Sequence, residues 1–489
     1  MLSTNKRCNL FQVAVGVFLH CCNTPEAVID FLARIGVSVS AKTITRSTKS
    51  LSKQVESAIR NTARKLLSAY AYDNLDVDFK PLSETIETTK TSLVHLTTAT
   101  LLPLHHVQQK DLDCSEKLWK MHARNPNRQP CDIPRINQRK LNNIHPEEPH
   151  SSGLTRRQRY NAWKFQYDLV HFGPEEFRRY QQKVSDPEVI DAIPLTQGTQ
   201  LPFRTVDVSP STPKGNDEAL RAFFKQASIG DPNQNPEGRL KSPENSAILI
   251  FGDLLTGQHL SSLLDSLACE KTPWRRLQFL VFVMGLFHLK MACADAIWRI
   301  FIHPKRSQED PTSLMGLVQQ IRPKETGKIK SKPGFRRMHE VIQHVGSVSR
   351  LDMWRLAAQK VDSKYTSLED FAKSKPTWEQ IVEMSERMQR EWEKEGPITK
   401  QREQPDTDRD KQRENSIMQH QYFLLYEEIS HAMNHGDIGR VETCFLPWIY
   451  IFMGCGKHKY AKEMRRYLEN VHFRYPKELR WVEGISTLL

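Results

Sequence analysis

Residues 246–267 read SAILIFGDLLTGQHLSSLLDSL, and this stretch decides how the rest of the chain is taken. Ala247–Phe251 is an unbroken apolar run of strand length. A strand without polar alternation is one buried on both faces, as in a sheet covered by helices. Gly252 and Asp253 follow at once, and Thr256-Gly257 opens a helical pattern through Leu260–Leu267. A carboxylate at the end of such a strand stands where open α/β sheets bind ligands. The same position suits an N-cap, whose side chain accepts from the helix's free N–H groups. For Asp253 a metal ligand and a helix cap are both open readings. The expected fold class is α/β, helix-rich around a central mixed sheet.

Upstream, residues 66–80 (LLSAYAYDNLDVDFK) pass from an aromatic, apolar start into a period-2 pattern. Leu75, Val77 and Phe79 alternate there with Asp76, Asp78 and Lys80, which predicts a strand edge or hairpin. The β-branched run SLVHLTTATLLPL (92–104) is its expected partner. Asp73 ends the apolar part of the first strand, much as Asp253 ends the later one. Two such carboxylates on neighbouring strands could share Mg²⁺ or Mn²⁺, hard cations that take oxygen ligands and leave positions for phosphate. That arrangement suits phosphodiester cleavage or strand transfer, and a third carboxylate normally completes it.

The 489 residues exceed a single ordinary core, which stops growing at roughly 250–300 residues. Six segments are expected: a helical N-terminal region (1–65), a first part of the α/β core (66–120) and a polar linker or insertion with short elements (121–245). A second part of the core (246–303), a basic helical insertion with a mobile mixed-charge loop (304–416) and a helical C-terminal region (417–489) follow. Leu277–Ile302 is apolar but carries Lys290, Asp295 and Arg299, so it predicts a core helix and not a membrane span. Residues 36–67 suggest a second helical pair, open to plain packing or to DNA contact. Nine cysteines without a CxxC pair suggest neither a disulfide framework nor a zinc ribbon. A reducing compartment, nucleus or cytoplasm, is expected, and the protein is not expected to be secreted.

The formal net charge of +13 favours polyanionic partners, DNA or another nucleic acid first among them, through counterion release. Residues 322–344 concentrate Arg322, Lys324, Lys328, Lys330, Lys332, Arg336 and Arg337 against two acids. They are the candidate phosphate-backbone contacts, a solvated basic loop being the plain reading. His288, in GLFHLKMACAD, either orients a metal-bound water or phosphate or is a core histidine satisfied by a carbonyl.

Several longer words, among them FGDLLTG, TPWRRLQFLVFVMGLFHLKMACADAIWRIFIHP, RPKETGKI, GFRRMHEVIQHVG and AMNHGDIGRVE, resemble an uncharacterised family abundant in mushroom-forming fungi, the domain of unknown function 6589 (DUF6589). The resemblance covers nearly the whole chain. Its acid-after-strand pattern, GDxxT and FHLKM are in turn similar to transposases with an RNase H-like core and a DDE-type triad. On that analogy Asp73 matches the first acid, Asp253 the second, and His288 the helix that follows. Longer relatives continue past a segment like YPKELRWVEGISTLL to a further acid on a helix. The third acid is therefore expected to be missing, unless Glu442, Asp437 or Glu428 substitutes, and the core to be incomplete or inactive. A non-catalytic interaction or scaffold protein is the alternative.

Overall fold

The computed structural model describes residues 9–78, 93–129, 134, 136–194, 196–234, 238–394, 402–405 and 407–486. The strands are β1 (Ser68–Asp78), β2 (Leu93–Pro103), β3 (Leu201–Pro202), β4 (Ile248–Gly252) and β5 (Leu280–Met284). The helices used below are α1 (Leu10–Cys21), α2 (Glu26–Arg34), α3 (Ala41–Ala63), α4 (Arg156–Phe172), α5 (Pro213–Gln226), α6 (Leu254–Leu267) and α7 (Leu286–Phe301). After them come α8 (Gly334–Val361), α9 (Trp378–Lys394), α10 (Lys411–His435), α11 (Ile438–Gly454), α12 (His458–Glu469) and α13 (Lys477–Ser486). Two compact units alternate along the chain: residues 1–132 with 196–283, and residues 133–195 with 284–488.

The first unit holds the sheet, in the order β3-β2-β1-β4-β5. β1 and β2 form a long antiparallel pair from Ser68↔Pro103 to Asp78↔Leu93, as the alternation in the sequence requires. β3 adds antiparallel to β2, and β4 runs parallel to β1 with Tyr70↔Ile250 and Ala71↔Phe251 paired. β5 lies beyond β4, where Ile248 N donates to Phe279 O (2.7 Å). Ile248, Leu249 and Ile250 are buried, which explains their uninterrupted apolar run. Tyr70 packs edge-on against Phe224 of α5, and the Tyr72 hydroxyl donates to Asn216 Oδ1 (2.7 Å), so this face of β1 is covered by α5. Gly257 of α6 lies so near β5 that a Cβ there would come within 2.4 Å of the Phe282 ring.

Three expectations are corrected here. Leu277–Ile302 is not one helix but β5, a break at Gly285, and then α7, because Val281, Phe282 and Val283 favour an extended chain. Residues 41–63 form a single 23-residue helix capped by Ser40 in place of a helical pair, so the DNA-contacting pair is lost. The segment 121–245 is not mainly a linker: α4 buries Phe165 and Leu169, and α5 buries Leu220 and Phe223. Their Arg- and Gln-rich or Gly- and Asn-bearing sequences mask those apolar faces.

The described elements of the second unit are helical. Phe165 and Leu169 of α4 pack with Trp354 of α8, Ile381 and Met384 of α9, and Leu424 of α10. Polar groups inside this core are paired, as burial demands. Arg350 Nε donates to Asp168 Oδ2 (2.6 Å) and Arg350 Nη2 to Glu427 Oε1 (2.9 Å), with all three side chains buried. Arg440 and Arg157 likewise share Glu428, at 2.9 and 3.0 Å. Of the mixed-charge loop at 395–415, residues 395–401 and 406 lie outside the described residues, and Lys411 already begins α10. The described cysteines are free thiols, and no described helix is long and apolar enough to cross a membrane.

Candidate functional site

Asp73 lies on β1 opposite Thr98 of β2, and Asp253 directly follows β4. Counting two residues on from the parallel pair Ala71↔Phe251 brings Asp73, midway along β1, level with Asp253 just past the end of β4. Asp253 caps α6, its Oδ1 accepting from Thr256 N (2.7 Å). Asp73 is exposed, and its Oδ1 accepts only from the next backbone N–H, Asn74 N (2.8 Å). Neither Oδ2 has a hydrogen-bonding partner among the described residues. The cap role of Asp253 is thus present, and it leaves one oxygen over. The Tyr72 hydroxyl is pushed up first by burial and then by the charge of Asp253, which places that carboxylate near the α5-covered face. Hard oxygen donors with exposed lone pairs fit Mg²⁺ or Mn²⁺; two carboxylates alone make a sparse set.

His288 belongs to the second unit, on the first turns of α7. It is half-buried and opens on a cleft of about 350 Å³ together with Asp295, Trp298, Lys332, Phe335 and Lys457. The structure thus brings His288 and Lys332 to one cleft. Burial lowers the pKa of neighbouring Lys290, whose charge adds to burial in lowering that of His339.

The basic stretch divides once its partners are known. Arg322 pairs with Glu325 and Glu340 (2.9 and 2.6 Å), Arg336 with Glu340 (3.0 Å) and Arg337 with Glu325 (3.6 Å). Arg322 and Arg337 therefore hold the start of α8 to the preceding turn, while Arg336 pairs within α8 itself. Lys324, Lys328, Lys330 and Lys332 are exposed with no ion pair among the described residues, and they remain the cations open to a polyanion.

The substitutes for a third acid are each engaged elsewhere. Glu428 is held by two arginines, and Asp437 caps α11 while accepting from Ile190 N and Asp191 N (both 3.0 Å). Glu442 sits between two histidines, with His145 Nε2 at 2.6 Å and His472 Nε2 at 2.7 Å from its Oε2. Neither histidine stands out in the sequence, since 297 residues separate His145 from Glu442 and no periodicity links them. A further cleft of about 710 Å³ in the same unit gathers Tyr160, Trp163, Lys164, Tyr167, His431 and His435.

Fold and site together define a helix-rich α/β protein with one mixed five-stranded sheet, one carboxylate midway along β1 and another just past the end of β4. The model of the Family of unknown function (DUF6589) matches residues 134–482, and the chain belongs to that family. Comparison with curated proteins and with solved structures gave no significant match.

Proposed function

We propose that this is a transposon-derived nucleic-acid-binding protein built on an RNase H-like sheet, with Asp73 and Asp253 as what remains of a metal-dependent phosphodiester-cleaving site. The strand order carries the reading. That reading is supported by the register of the parallel β1–β4 pair in β3-β2-β1-β4-β5, on which Asp73 of β1 counts level with Asp253 just past β4. A hard divalent cation held there would stabilise charge on phosphate oxygens. Asp73 and Asp253 would supply its carboxylate ligands, and the unpaired lysines at 324, 328, 330 and 332 would bind the phosphate backbone. The half-buried rings of Trp163 and Tyr167 in the Tyr160–Trp163–Tyr167 cleft suit stacking on exposed bases. With no third acid supplied by Glu428, Asp437 or Glu442, binding is expected to outlast cleavage.

The test is a DNA titration at two salt concentrations. Four lysine–phosphate contacts predict an affinity loss of roughly 10²-fold between 50 and 200 mM salt. Replacing the four lysines by glutamine should flatten that dependence. Mg²⁺-dependent nicking, where detectable, should vanish in Asp73→Asn. Absence of binding at 50 mM salt, or an affinity indifferent to salt, overturns the proposal in favour of a protein scaffold.

A further inference from the structure

The His145–Glu442–His472 group lies within the second unit and plays no part in the reading above. Its three ligand atoms come from three separate elements. His145 is on the loop between residues 142 and 156, Glu442 is on the second turn of α11, and His472 is on a π-helical turn, Asn470–Arg474, between α12 and α13. Single π-turns interrupt the regular helical ladder and recur at functional sites. The side chains are only 14%, 4% and 5% exposed. Both rings present Nε2 to the same carboxylate, and their planes meet at 89° with centroids 5.6 Å apart, so the nitrogens converge without the rings stacking. All three ligand atoms lie within 4.8 Å of one another.

We infer that these residues form a Zn²⁺ site with His145 Nε2, His472 Nε2 and a Glu442 carboxylate oxygen as ligands. Two imidazoles and one carboxylate are a borderline donor set, which favours zinc over magnesium or calcium. A tetrahedral ion with bonds of about 2.0–2.1 Å needs its ligands roughly 3.3 Å apart. The present hydrogen-bond contacts of 2.6 and 2.7 Å must therefore open by about 0.6–0.7 Å, a change within side-chain reach. Both imidazoles must also present a lone pair at Nε2, with the ring proton on Nδ1, so acid, which protonates that lone pair, weakens binding.

Burial would raise the Glu442 carboxyl, but hydrogen bonds from His145 and His472 outweigh it and hold the pKa below the usual carboxylate range. Nearby Glu483 is buried and pushed well up, by burial first and then by the charge of Glu442. A cavity of about 200 Å³, lined by His145, Glu442, Arg156, Arg157 and Thr443, adjoins the group. Three protein ligands beside such a cavity leave room for a water as the fourth, the pattern of zinc sites with an open position.

The full chain, stripped with a chelator and titrated with Zn²⁺ alone, should bind one ion per chain by calorimetry. Co²⁺ in its place should give the visible d–d bands of a tetrahedral site. His145→Ala should weaken Zn²⁺ binding at least tenfold, its effect on the metal-free melting temperature being measured separately because it also removes one hydrogen bond to the buried Glu442. Zn²⁺ should raise the melting temperature of the wild type and not of this variant. Glu442→Gln gives a second reading through the loss of the cobalt bands. Failure of the wild type to bind Zn²⁺, or an affinity unchanged in both variants, overturns the site and leaves a plain hydrogen-bonded triad. DNA binding in Mg²⁺ buffer is a separate readout, so either proposal can fail alone.

Discussion

At the sheet end of the first unit, Asp73 and Asp253 are accessible, and each uses one oxygen on a nearby backbone N–H. In the second unit, Asp168, Glu427 and Glu428 are sealed inside the helical core and matched by Arg350, Arg440 and Arg157. The residue type is the same, and the surroundings set its role. A buried carboxylate must be neutralised where it stands, because its desolvation cost is met only by a close cation and hydrogen bonds. An exposed one keeps its hydration and leaves lone pairs for something that arrives later. Acids matched by arginine in the core are thus read as structural, and functional acids are sought among those, such as Asp73, Asp253 and Glu442, that no arginine neutralises.

That contrast is broken most directly at Arg350. Arg350→Met strands Asp168 and Glu427 in the core, with only Lys164 near them, and should cost about 3–5 kcal/mol in urea unfolding. A loss under about 1 kcal/mol would mean the core carboxylates are not held by this pair.

Next in size is a pH effect in the same core. His420 is lowered to about 4, by burial first and by the charge of Arg350 second. Its folded pKa lies below the unfolded value, so the neutral form is the one the fold accepts. Stability from this group is complete above about pH 6.5 and declines as the pH falls toward 4, by roughly 2 kcal/mol at pH 5. Urea midpoints at pH 7 and 5 should therefore differ less in His420→Gln than in the wild type.

The smallest changes belong to the sheet end. Asp253→Ala should cost about 1 kcal/mol through the lost cap, while Asp253→Ser, which can still cap, should cost less. Asp73→Ala should stay within about 0.5 kcal/mol, as expected for an exposed side chain away from packing. A large stability loss at Asp73 would make it a structural acid after all, and the comparison would need redrawing.

The sheet was largely legible in the sequence because strand signals are local. Alternation at Leu75, Asp76, Val77 and Asp78 marked β1, and the unbroken run at 247–251 marked β4. β5 was missed because a short buried strand running into a buried helix offers no change of period to read. The core helices α4 and α5 were hidden by their polar composition, which a long charged or amide side chain tolerates at the edge of a buried face. The ionic networks and the histidine pair were not legible at all. Asp168 and Arg350 stand 182 residues apart, and a pairing of that kind exists only after the helices have packed.

β4 takes its pairing on one side from β1, and β1 lies before residue 134, where the match to the family model begins. The unit that contains both strands is also written in two instalments, separated by residues 133–195 of the other unit. During synthesis the β1–β2 hairpin must therefore wait, with one edge unfilled, until the ribosome has delivered β4. A fragment cut to residues 134–482 would put the matching edge of β4 in the open, an invitation to pair with another chain. The boundary drawn by sequence similarity is thus not one at which the polypeptide can be divided, and the shortest piece that folds cleanly should begin upstream of Ser68.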